Sequence, residues 1–513
     1  MKKVYISFLF AILRIAVCAQ PTIQWQKCLG GISPDYAFSI QQTTDWGYVL
    51  TGFTYSNSGD VSGNHGLYDV WVVKLDGVGN IQWQKCLGGS QYDCAYSIQQ
   101  TVDGGFILTG FAQSYDGDIS GNHGLSDVWV VKLDGVGNIQ WQKCLGGTES
   151  DYGYSIQQTT DGGYVLTGYT ESNDGDVVGN HGGRDVWVVK LDSIGNIQWQ
   201  KCFGGTFWDE AYSIQQTADG GYIVTGYTKS NNGDVGGYHG GQGDFWVVKI
   251  GSLGAMQWQK CLGGTDGEVA RSIQQTIDGG FILTGFSKSF DGDVSGNYGD
   301  QDVWVVKLNN LGNIQWEKNY GGTSLENSLF IQKTTDGGYI ITGVTASNNI
   351  DVNGNHGGFN DIWVLKLDSI GYIQWQKCLG GTNIDIAWCI QQTNDGGYIL
   401  TGGSDSNDGD VSGNHGGSTP RDFWVVKLSS TVGMNEFSSI KSLNIFPNPT
   451  SGILNIESNE LLKRIELFDM LGKLVLSYGN EKQIDISNLQ SGLYLIRFTS
   501  ENGVEQRRVE VNR

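Results

Sequence analysis

The stretch Ile23-Gln-Trp-Gln-Lys-Cys-Leu-Gly-Gly31 decides the fold, because close copies of it recur along most of the chain. The copies begin at Ile81, Ile139, Ile197, Met256, Ile314 and Ile373, so that successive copies stand 58 or 59 residues apart. Repeats of this length are typical of solenoids, propellers and arrays, in which each copy is one structural unit. The content of one unit therefore predicts the architecture of residues 20–430.

One unit, residues 148–205, contains four extended segments. Residues 154–159 predict a first strand, and Asp161-Gly-Gly163 supplies a tight turn into a second strand over 164–170. A polar loop separates these strands from a third strand over 185–191 and a fourth over 197–202. We name these strands a, b, c and d. Four strands in 58 residues match one blade of a β-propeller, and the absence of a 3.6-residue apolar period predicts almost no helix.

The two ends of the repeat region predict how the ring closes. The region opens with a lone strand d, residues 23–28, and ends with strands a, b and c within residues 389–428. If the first strand completes the last blade, seven blades are whole and the closure removes the exposed edges that an open array would leave. The predicted fold is therefore all-β: a seven-bladed β-propeller closed by an N-terminal d strand, followed by a small β-sandwich.

Tryptophan and cysteine recur at fixed places in the blade. Fourteen of the 17 Trp fall in strand c or strand d, where large side chains are expected to pack between neighbouring sheets. Six of the nine Cys fall in strand d, each in a different blade, which is too far apart for a disulfide. We expect these six to be buried free thiols, and the sequence assigns no partner to Cys94 or Cys389.

The chain carries a formal net charge of −21, and the acidic residues are concentrated in the repeats. A negative field of this size repels nucleic acid, so no nucleic-acid partner is expected. Residues 1–19 are typical of a signal peptide, with Lys2 and Lys3 before a short apolar stretch and cleavage expected after Ala19. Lipid attachment at Cys18 is the alternative. No other segment is apolar enough for a transmembrane span.

The loop between strands b and c carries two patterns that suggest ligands. Paired carboxylates two residues apart could hold Ca²⁺, although Asp-Gly turns have the same composition and favour a structural explanation. The candidate calcium residues are Asp116, Asp118, Asp174, Asp176, Asp291, Asp293, Asp408 and Asp410. All six His fall in the same loop, one per blade, with Tyr298 in the remaining blade. Single His residues in separate blades cannot converge on one zinc ion, so a local network with the Asp that begins strand c is expected.

A further set of candidates lies where strand d leads into strand a. An acidic residue precedes each strand a, and these acids are expected to form a ring on one face of the propeller. Aromatic residues that break the repeat are expected on the same face, where they could stack on a glycan or pack between blades. The ligand-face candidates are Asp35, Tyr36, Asp93, Asp151, Tyr152, Trp208, Asp209, Arg271, Asp385 and Trp388. No catalytic residue is assigned, because no Ser-His-Asp set or phosphate-binding loop is present and no carboxylate pair stands apart from the repeat.

The repeat stops near residue 439, and residues 443–513 follow a linker over 431–442. The tail contains alternating strands with Gly turns, the entry Pro447-Asn448-Pro449, the turn Asp469-Met-Leu-Gly472, Gly492 and Tyr494 in one strand, and the basic pair Arg507 and Arg508. This combination closely resembles the C-terminal sorting domain of the type IX secretion system of Bacteroidota. The resemblance implies passage across the outer membrane, handling by that machinery and its processing peptidase, and release or attachment at the cell surface.

These observations lead to one main functional hypothesis and two alternatives. The main hypothesis is a monomeric propeller, secreted or held at the cell surface, that binds a glycan or protein ligand, with an adhesive or glycan-binding role rather than an enzymatic one. The first alternative is a carbohydrate-active hydrolase that uses carboxylates on the acidic face. The second is a structural surface module stabilised by Ca²⁺ as its cofactor.

Overall fold

The computed structural model describes residues 20–416, 421–430, 443–458, 461–468, 474–500 and 504–512. The predicted signal peptide, the linker and the Asp469–Gly472 turn lie outside these residues. The chain divides into two compact units, residues 1–431 and 432–513. The described part of both units is all-β, without a helix, and therefore holds no helix that could cross a membrane.

The first unit consists of 28 strands of seven or eight residues. Strand β1 is a d strand, and strands a, b, c and d then alternate from β2 onward. The strands are β1 (Ile23–Leu29), β2 (Asp35–Gln42), β3 (Tyr48–Thr54), β4 (Asp69–Leu75), β5 (Ile81–Leu87), β6 (Asp93–Gln100), β7 (Phe106–Ala112), β8 (Asp127–Leu133), β9 (Ile139–Leu145), β10 (Asp151–Gln158), β11 (Tyr164–Thr170), β12 (Asp185–Leu191), β13 (Ile197–Phe203), β14 (Asp209–Gln216), β15 (Tyr222–Thr228), β16 (Asp244–Ile250), β17 (Met256–Leu262), β18 (Glu268–Gln275), β19 (Phe281–Ser287), β20 (Asp302–Leu308), β21 (Ile314–Tyr320), β22 (Glu326–Lys333), β23 (Tyr339–Thr345), β24 (Asp361–Leu367), β25 (Ile373–Leu379), β26 (Asp385–Gln392), β27 (Tyr398–Ser404) and β28 (Asp422–Leu428).

These strands form seven four-stranded antiparallel sheets arranged as a closed ring. Six sheets use four consecutive strands, from β2–β5 (blade 1) to β22–β25 (blade 6). The seventh has the order β1-β28-β27-β26, so the N-terminal strand completes blade 7, with Gln26 opposite Val426. Strand b of each blade packs on strand a of the next, and β27 packs on β2 in the same way. The predicted propeller and its closure by an N-terminal d strand are confirmed.

Strands b and c form the buried centre of each blade, since nearly every residue in them is inaccessible to solvent. The strand-c Trp is fully buried in each blade, and burying one such side chain contributes about 4–6 kcal/mol before entropy is counted. The strand-d Trp is half-buried in six blades and covers the next blade, as when Trp25 meets Tyr48 edge-on at 5.8 Å. Tryptophan therefore packs both within and between blades.

Each blade also contains a buried lysine in strand c that is paired with an aspartate in the a–b turn. The Lys74 ammonium lies 2.9 Å from a carboxylate oxygen of Asp45 and also donates to the carbonyl of Leu75 and to Gln82. Burial alone would raise the pKa of Asp45, but the bonds from Thr43 and Lys74 hold it at about 2. The same pair recurs in all seven blades and ties the a–b turn to strand c.

The second unit is a small β-sandwich of two antiparallel sheets, with strand orders β29-β30-β33 and β32-β31-β34-β35. Its core contains Leu454, Ile465, Leu467, Ile496 and Phe498. The predicted sandwich is confirmed. The strands are β29 (Asn444–Phe446), β30 (Ile453–Glu457), β31 (Leu462–Phe468), β32 (Leu474–Tyr478), β33 (Gln483–Asp485), β34 (Gly492–Ser500) and β35 (Val504–Val511).

Candidate functional site

Strand a is the innermost strand of every blade, so its side chains line the axis of the ring. At the end of strand a the main-chain N–H donates to a Gln side chain of the preceding blade, at 2.5 to 2.9 Å. These seven bonds run around the whole ring from Gln100 to Gln41, Gln158 to Gln99, Gln216 to Gln157, Gln275 to Gln215, Lys333 to Gln274, Gln392 to Gln332 and Gln42 to Gln391. These bonds connect each blade to the next around the axis, at the end where strand a finishes.

Aromatic side chains occupy the fourth position of strand a in five blades and form a continuous arc around the axis, which we call the aromatic arc. Successive ring centroids along it are 4.9 to 5.2 Å apart, in tilted or edge-on geometry that favours attraction between aromatic rings. The arc runs from Trp388 through Phe38, Tyr96 and Tyr154 to Tyr212. Arg271 continues it, with its guanidinium carbon 4.2 Å from the centroid of Tyr212.

The aromatic arc encloses a cavity of about 480 Å³, which we call the axial cavity. Its wall lies between the start and the middle of strand a, away from the glutamine bonds, and combines aromatic faces with serine hydroxyls. The lining residues are Tyr36, Phe38, Ser39, Phe53, Tyr96, Ser97, Tyr154, Ser155, Tyr212, Ser213, Arg271, Ser272, Leu329, Phe330, Trp388 and Cys389. Arg271 is the one charged side chain among them.

The axial cavity is where the sevenfold repeat is broken. Blades 1 to 4 present an aromatic residue followed by Ser at the fourth and fifth positions of strand a. Blade 5 presents Arg271 in place of the aromatic residue, blade 6 presents Leu329 and Phe330, and blade 7 presents Trp388 and Cys389. One side of the cavity thus differs chemically from the other, which gives any bound ligand a defined orientation.

The acids that begin strand a do not line this cavity or ring an exposed face, contrary to our expectation from the sequence. Asp35, Asp93, Asp151, Asp209 and Asp385 are fully buried. Each accepts a bond from the N–H of a Gly four residues earlier, at 2.8 to 2.9 Å, and from a Ser hydroxyl after strand b. Burial raises the pKa of Asp35, Asp151 and Asp385 to about 6, although these bonds act in the opposite direction. Their arrangement fixes the turn between strands d and a.

The aromatic candidates have different surroundings. Tyr36 lines the cavity and stacks on Phe53 at 4.8 Å. Tyr152 lies against Tyr169 and Phe111, which is packing within and between blades. Trp208 is half-exposed and lies near the cations of Arg184 and Lys229, at 4.9 and 5.1 Å, rather than at the axis. Of the sequence candidates, the structure therefore brings Tyr36, Arg271 and Trp388 together.

The paired carboxylates of the b–c loops clamp the neighbouring turn. The first acid is exposed and accepts from the main chain of the d–a turn, as Asp174 does from the N–H and hydroxyl of Thr148 at 2.8 and 2.9 Å. Asp116, Asp291 and Asp408 are bonded in the same way. The second acid accepts a hydrogen bond from the N–H of a Gly in the d–a turn, as Asp118 does from Gly88 and Asp176 from Gly146. Asp293 makes the same contact. Asp410 lies near the ring of His356. Within the described residues no three His, Cys, Asp or Glu converge on a possible metal position.

The six His residues form a local network of the expected kind. In each case the ring Nδ1 lies 2.6 or 2.7 Å from a carboxylate oxygen of the Asp that begins strand c, as for His65 and Asp69. In four of the pairs the other ring nitrogen, Nε2, lies within 4.0 Å of a carboxylate oxygen of the loop Asp in the next blade. One of these four contacts, between His415 and Asp60 at 3.8 Å, crosses the closure of the ring. These residues join blades to each other.

In the second unit, the residues of the sorting motif lie in or directly after strands β29, β34 and β35. The side-chain oxygen of Asn448, between Pro447 and Pro449, accepts from the N–H of Glu510 at 2.9 Å. The Tyr494 hydroxyl donates to the carbonyl of Gln490 at 3.0 Å. Gly492 begins β34, and Arg507 and Arg508 lie in β35, with the Arg507 side chain exposed.

Four residues of the aromatic arc are not among the candidates from the sequence: Phe38, Tyr96, Tyr154 and Tyr212. Each sits at the same place in its repeat and therefore looks like a structural residue. The signal that identifies them is their position in the innermost strand, where equivalent side chains from all blades converge on one axis.

Comparison with known proteins separates the two units. Residues 444–512 match the family described as the secretion system C-terminal sorting domain. One curated relative, the regulatory protein FlaEY of Caulobacter vibrioides, is 27% identical over 150 residues. That match covers 26% of this chain, which spans only 16% of the relative's length.

Solved structures resemble the chain only distantly. One is the extracellular domain of a putative hybrid two-component system from B. thetaiotaomicron, with 10% identity, a TM-score of 0.41 and coverage of 96% of this chain and 60% of that chain. Another is a GH43_12 protein retrieved from capybara gut metagenome, with 12% identity, a TM-score of 0.29 and coverage of 96% and 91%. The fold therefore rests on the sheet topology described above, whereas the tail is identified by its family match. Residues 444–512 are a secretion system C-terminal sorting domain, which indicates that the type IX secretion system exports this propeller to the cell surface or beyond.

Proposed function

We propose that the exported propeller is a binding protein that holds a sugar ring of a glycan in the axial cavity. The observation that carries this proposal is the break of the sevenfold repeat at the cavity wall, where Arg271 and Leu329 replace the aromatic residue and Phe330 and Cys389 replace the serine. A blade that serves only the fold has no need to differ from its neighbours at the axis. Differences concentrated at one converging position are typical of a site that recognises something asymmetric.

The chemistry of the wall suits a sugar. Flat aromatic faces stack on the C–H faces of a pyranose ring, and the serines of the lining offer hydroxyl groups for hydrogen bonds. A cavity of about 480 Å³ falls in the range of small-molecule sites, roughly 300–1,000 Å³, and accommodates one or two sugar units. An extended polymer could enter with one terminal unit.

Binding fits this cavity better than hydrolysis. Glycoside hydrolases place two carboxyl groups roughly 5–9.5 Å apart on either side of the scissile bond. The lining of the axial cavity includes Arg271 but no Asp or Glu, and the acids that begin strand a are enclosed in their own hydrogen bonds. We therefore propose a protein that captures its ligand without cleaving it.

The sorting domain adds a proposal about the mature protein. We infer that the processing peptidase of the type IX system removes the second unit and that the propeller, a monomer, is then released or attached at the outer surface. The family match over residues 444–512 supports handling by this machinery. Mass spectrometry of the exported protein tests the cleavage, and an intact tail on the mature chain would contradict it.

A glycan array probed with the chain from Gln20 onward tests the binding function. Tyr154→Ala removes the central ring of the aromatic arc, and binding to the glycans recognised by the wild type should weaken by roughly tenfold or more. Tyr372→Ala is the matched control, because this tyrosine is exposed and lies against Lys318, away from the cavity. An array with no glycan bound, or equal losses in both variants, would contradict the proposal.

A further inference from the structure

Arg271 differs from the other arginines of the propeller in what satisfies its charge. The propeller contains three arginines, and each stacks on a tyrosine: Arg184 on Tyr169 at 4.4 Å, Arg421 on Tyr36 at 4.9 Å and Arg271 on Tyr212 at 4.2 Å. Stacking of this kind holds a guanidinium in place but leaves its N–H groups free to donate in the plane of the group.

In two of the three arginines, the guanidinium N–H groups donate to carboxylates. Arg184 bonds to Glu171 and Glu210 at 2.7 and 2.6 Å, and Arg421 bonds to Asp405 through two nitrogens at 2.6 and 2.7 Å. Arg271 forms no ion pair within 4 Å with any described residue, and its Nε is buried without a hydrogen-bond partner.

The buried Nε–H of Arg271 is costly, because a donor removed from water needs a hydrogen bond in return, and the partly buried guanidinium as a whole gains from a counter-charge. The wall of the axial cavity supplies serines and aromatic rings but no carboxylate. A planar guanidinium binds carboxylate and sulfate groups through two parallel N–H bonds, which are stronger than bonds between neutral groups. A ligand that brings such a group would complete the site.

We propose that the glycan of the axial cavity is acidic, with its anionic group, the carboxylate of a uronic acid or a sulfate ester, bound to Arg271. This inference rests on the proposed function and narrows it to a ligand class. The sugar ring lies along Tyr154 and Tyr212 while the anion reaches Arg271 at the end of the aromatic arc. The net charge of −21 repels anions in general, so recognition depends on this one local cation.

Isothermal titration of the chain from Gln20 onward with matched pairs of probes tests the inference. One pair is oligogalacturonate and its methyl ester, and the other is a sulfated galactan oligosaccharide and its desulfated form. For at least one pair the wild type should bind the anionic member roughly tenfold or more tightly than the neutral one. The pair that shows the preference identifies the anion as carboxylate or sulfate.

Variants at Arg271 then test whether this residue causes the preference for the anionic probe. Arg271→Gln should bind both members of the pair equally, and Arg271→Lys, which keeps the charge but not the planar fork, should retain part of the preference. Lys288→Gln, which removes a cation outside the cavity, should behave as the wild type. Thermal unfolding of each variant shows that it is folded, and Arg271→Lys tests the inference even if Arg271→Gln does not fold.

The outcomes separate this inference from the proposed function. Equal binding of anionic and neutral probes by the wild type, or a preference that survives in Arg271→Gln, overturns the acidic ligand but leaves glycan binding intact. No binding of any probe here, together with an empty glycan array, overturns both.

Discussion

The indole N–H of Trp424 donates a hydrogen bond of 2.8 Å to the side-chain oxygen of Gln26, which joins two residues 398 positions apart in the chain. An equivalent bond links strand c to strand d in each of the six remaining blades, at 2.8 to 3.0 Å, and in one of them the acceptor is Glu317 instead of a glutamine. The closure of the ring is therefore built like any other blade, although the chain does not run continuously through it.

Removal of the closing strand should open the ring. A chain that begins at residue 30 instead of residue 20 lacks β1, which exposes the edge of β28 and leaves the N–H of Trp424 unpaired. We expect a large fall in melting temperature and self-association, measured by calorimetry and gel filtration. Gln26→Ala is the milder control and should cost about 1–3 kcal/mol for the unpaired donor. An unchanged melting temperature in the truncated chain would show that the seam is not part of the stable ring.

Stability should depend on pH through Asp302, the strand-c acid of the blade in which Tyr298 replaces histidine. Burial and the carboxylates of Glu326 and Asp351 raise its pKa to about 7. Because this value lies above the unfolded value near 4, its stabilising contribution is complete at low pH and is lost as pH rises towards 7. Asp302→Asn should therefore gain stability relative to the wild type between pH 5 and pH 8, by up to about 3 kcal/mol in urea unfolding.

The matched control for this experiment is Asp278→Asn. Lys307 and Thr276 hold the pKa of Asp278 at about 2 despite its partial burial, so its charge does not change between pH 5 and pH 8. The difference between this variant and the wild type should stay constant over the same range. A constant difference for Asp302→Asn as well would mean that Asp302 is already ionised at pH 5.

The cysteines should be inert in the folded protein. All eight described cysteines are buried free thiols, which the repeat predicts for the six in strand d. Burial raises the pKa of Cys28, Cys86, Cys144, Cys202 and Cys378 to about 12. Since the thiolate is the reactive form, Ellman's reagent at pH 8 should modify none of these thiols in the chain from Gln20 onward before denaturation and all eight afterwards. Fewer than eight thiols after denaturation would reveal a disulfide.

Calcium should leave the stability of the chain unchanged. The first carboxylate of each pair already accepts hydrogen bonds from the d–a turn, as Asp174 does from Thr148, and the described residues offer no convergent set of three ligands. A cation that binds the folded state raises the melting temperature by mass action. Equal melting temperatures with CaCl₂ and with EDTA are expected, and a rise with calcium would restore the calcium-stabilised module as an explanation.

Much of the fold could be predicted from one repeat, but strand a begins earlier than its sequence suggests. The predicted strands b and c, residues 164–170 and 185–191, match β11 and β12, whereas strand a begins at Asp151 rather than at residue 154. An aspartate looks like a loop residue in sequence. It enters the strand here because Gly147 and Ser172 donate hydrogen bonds to one oxygen of its buried carboxylate.

The site was only partly predictable for a related reason. Arg271 and Trp388 could be found because they break the repeat, but Tyr96 and Tyr154 could not, since they keep it. Repetition along a sequence normally indicates structure. At the axis of a ring it also brings repeated side chains together in one cavity, and only the closed topology shows this convergence.

The most direct test of the account is a crystal structure of the propeller with the tightest-binding glycan from the array. We predict a sugar unit in the axial cavity, stacked on the aromatic arc, with an anionic group within hydrogen-bond distance of the Arg271 guanidinium. A glycan bound elsewhere, for example in the groove beside Tyr298 and Tyr372, with the axial cavity free of ligand, would contradict the central claim.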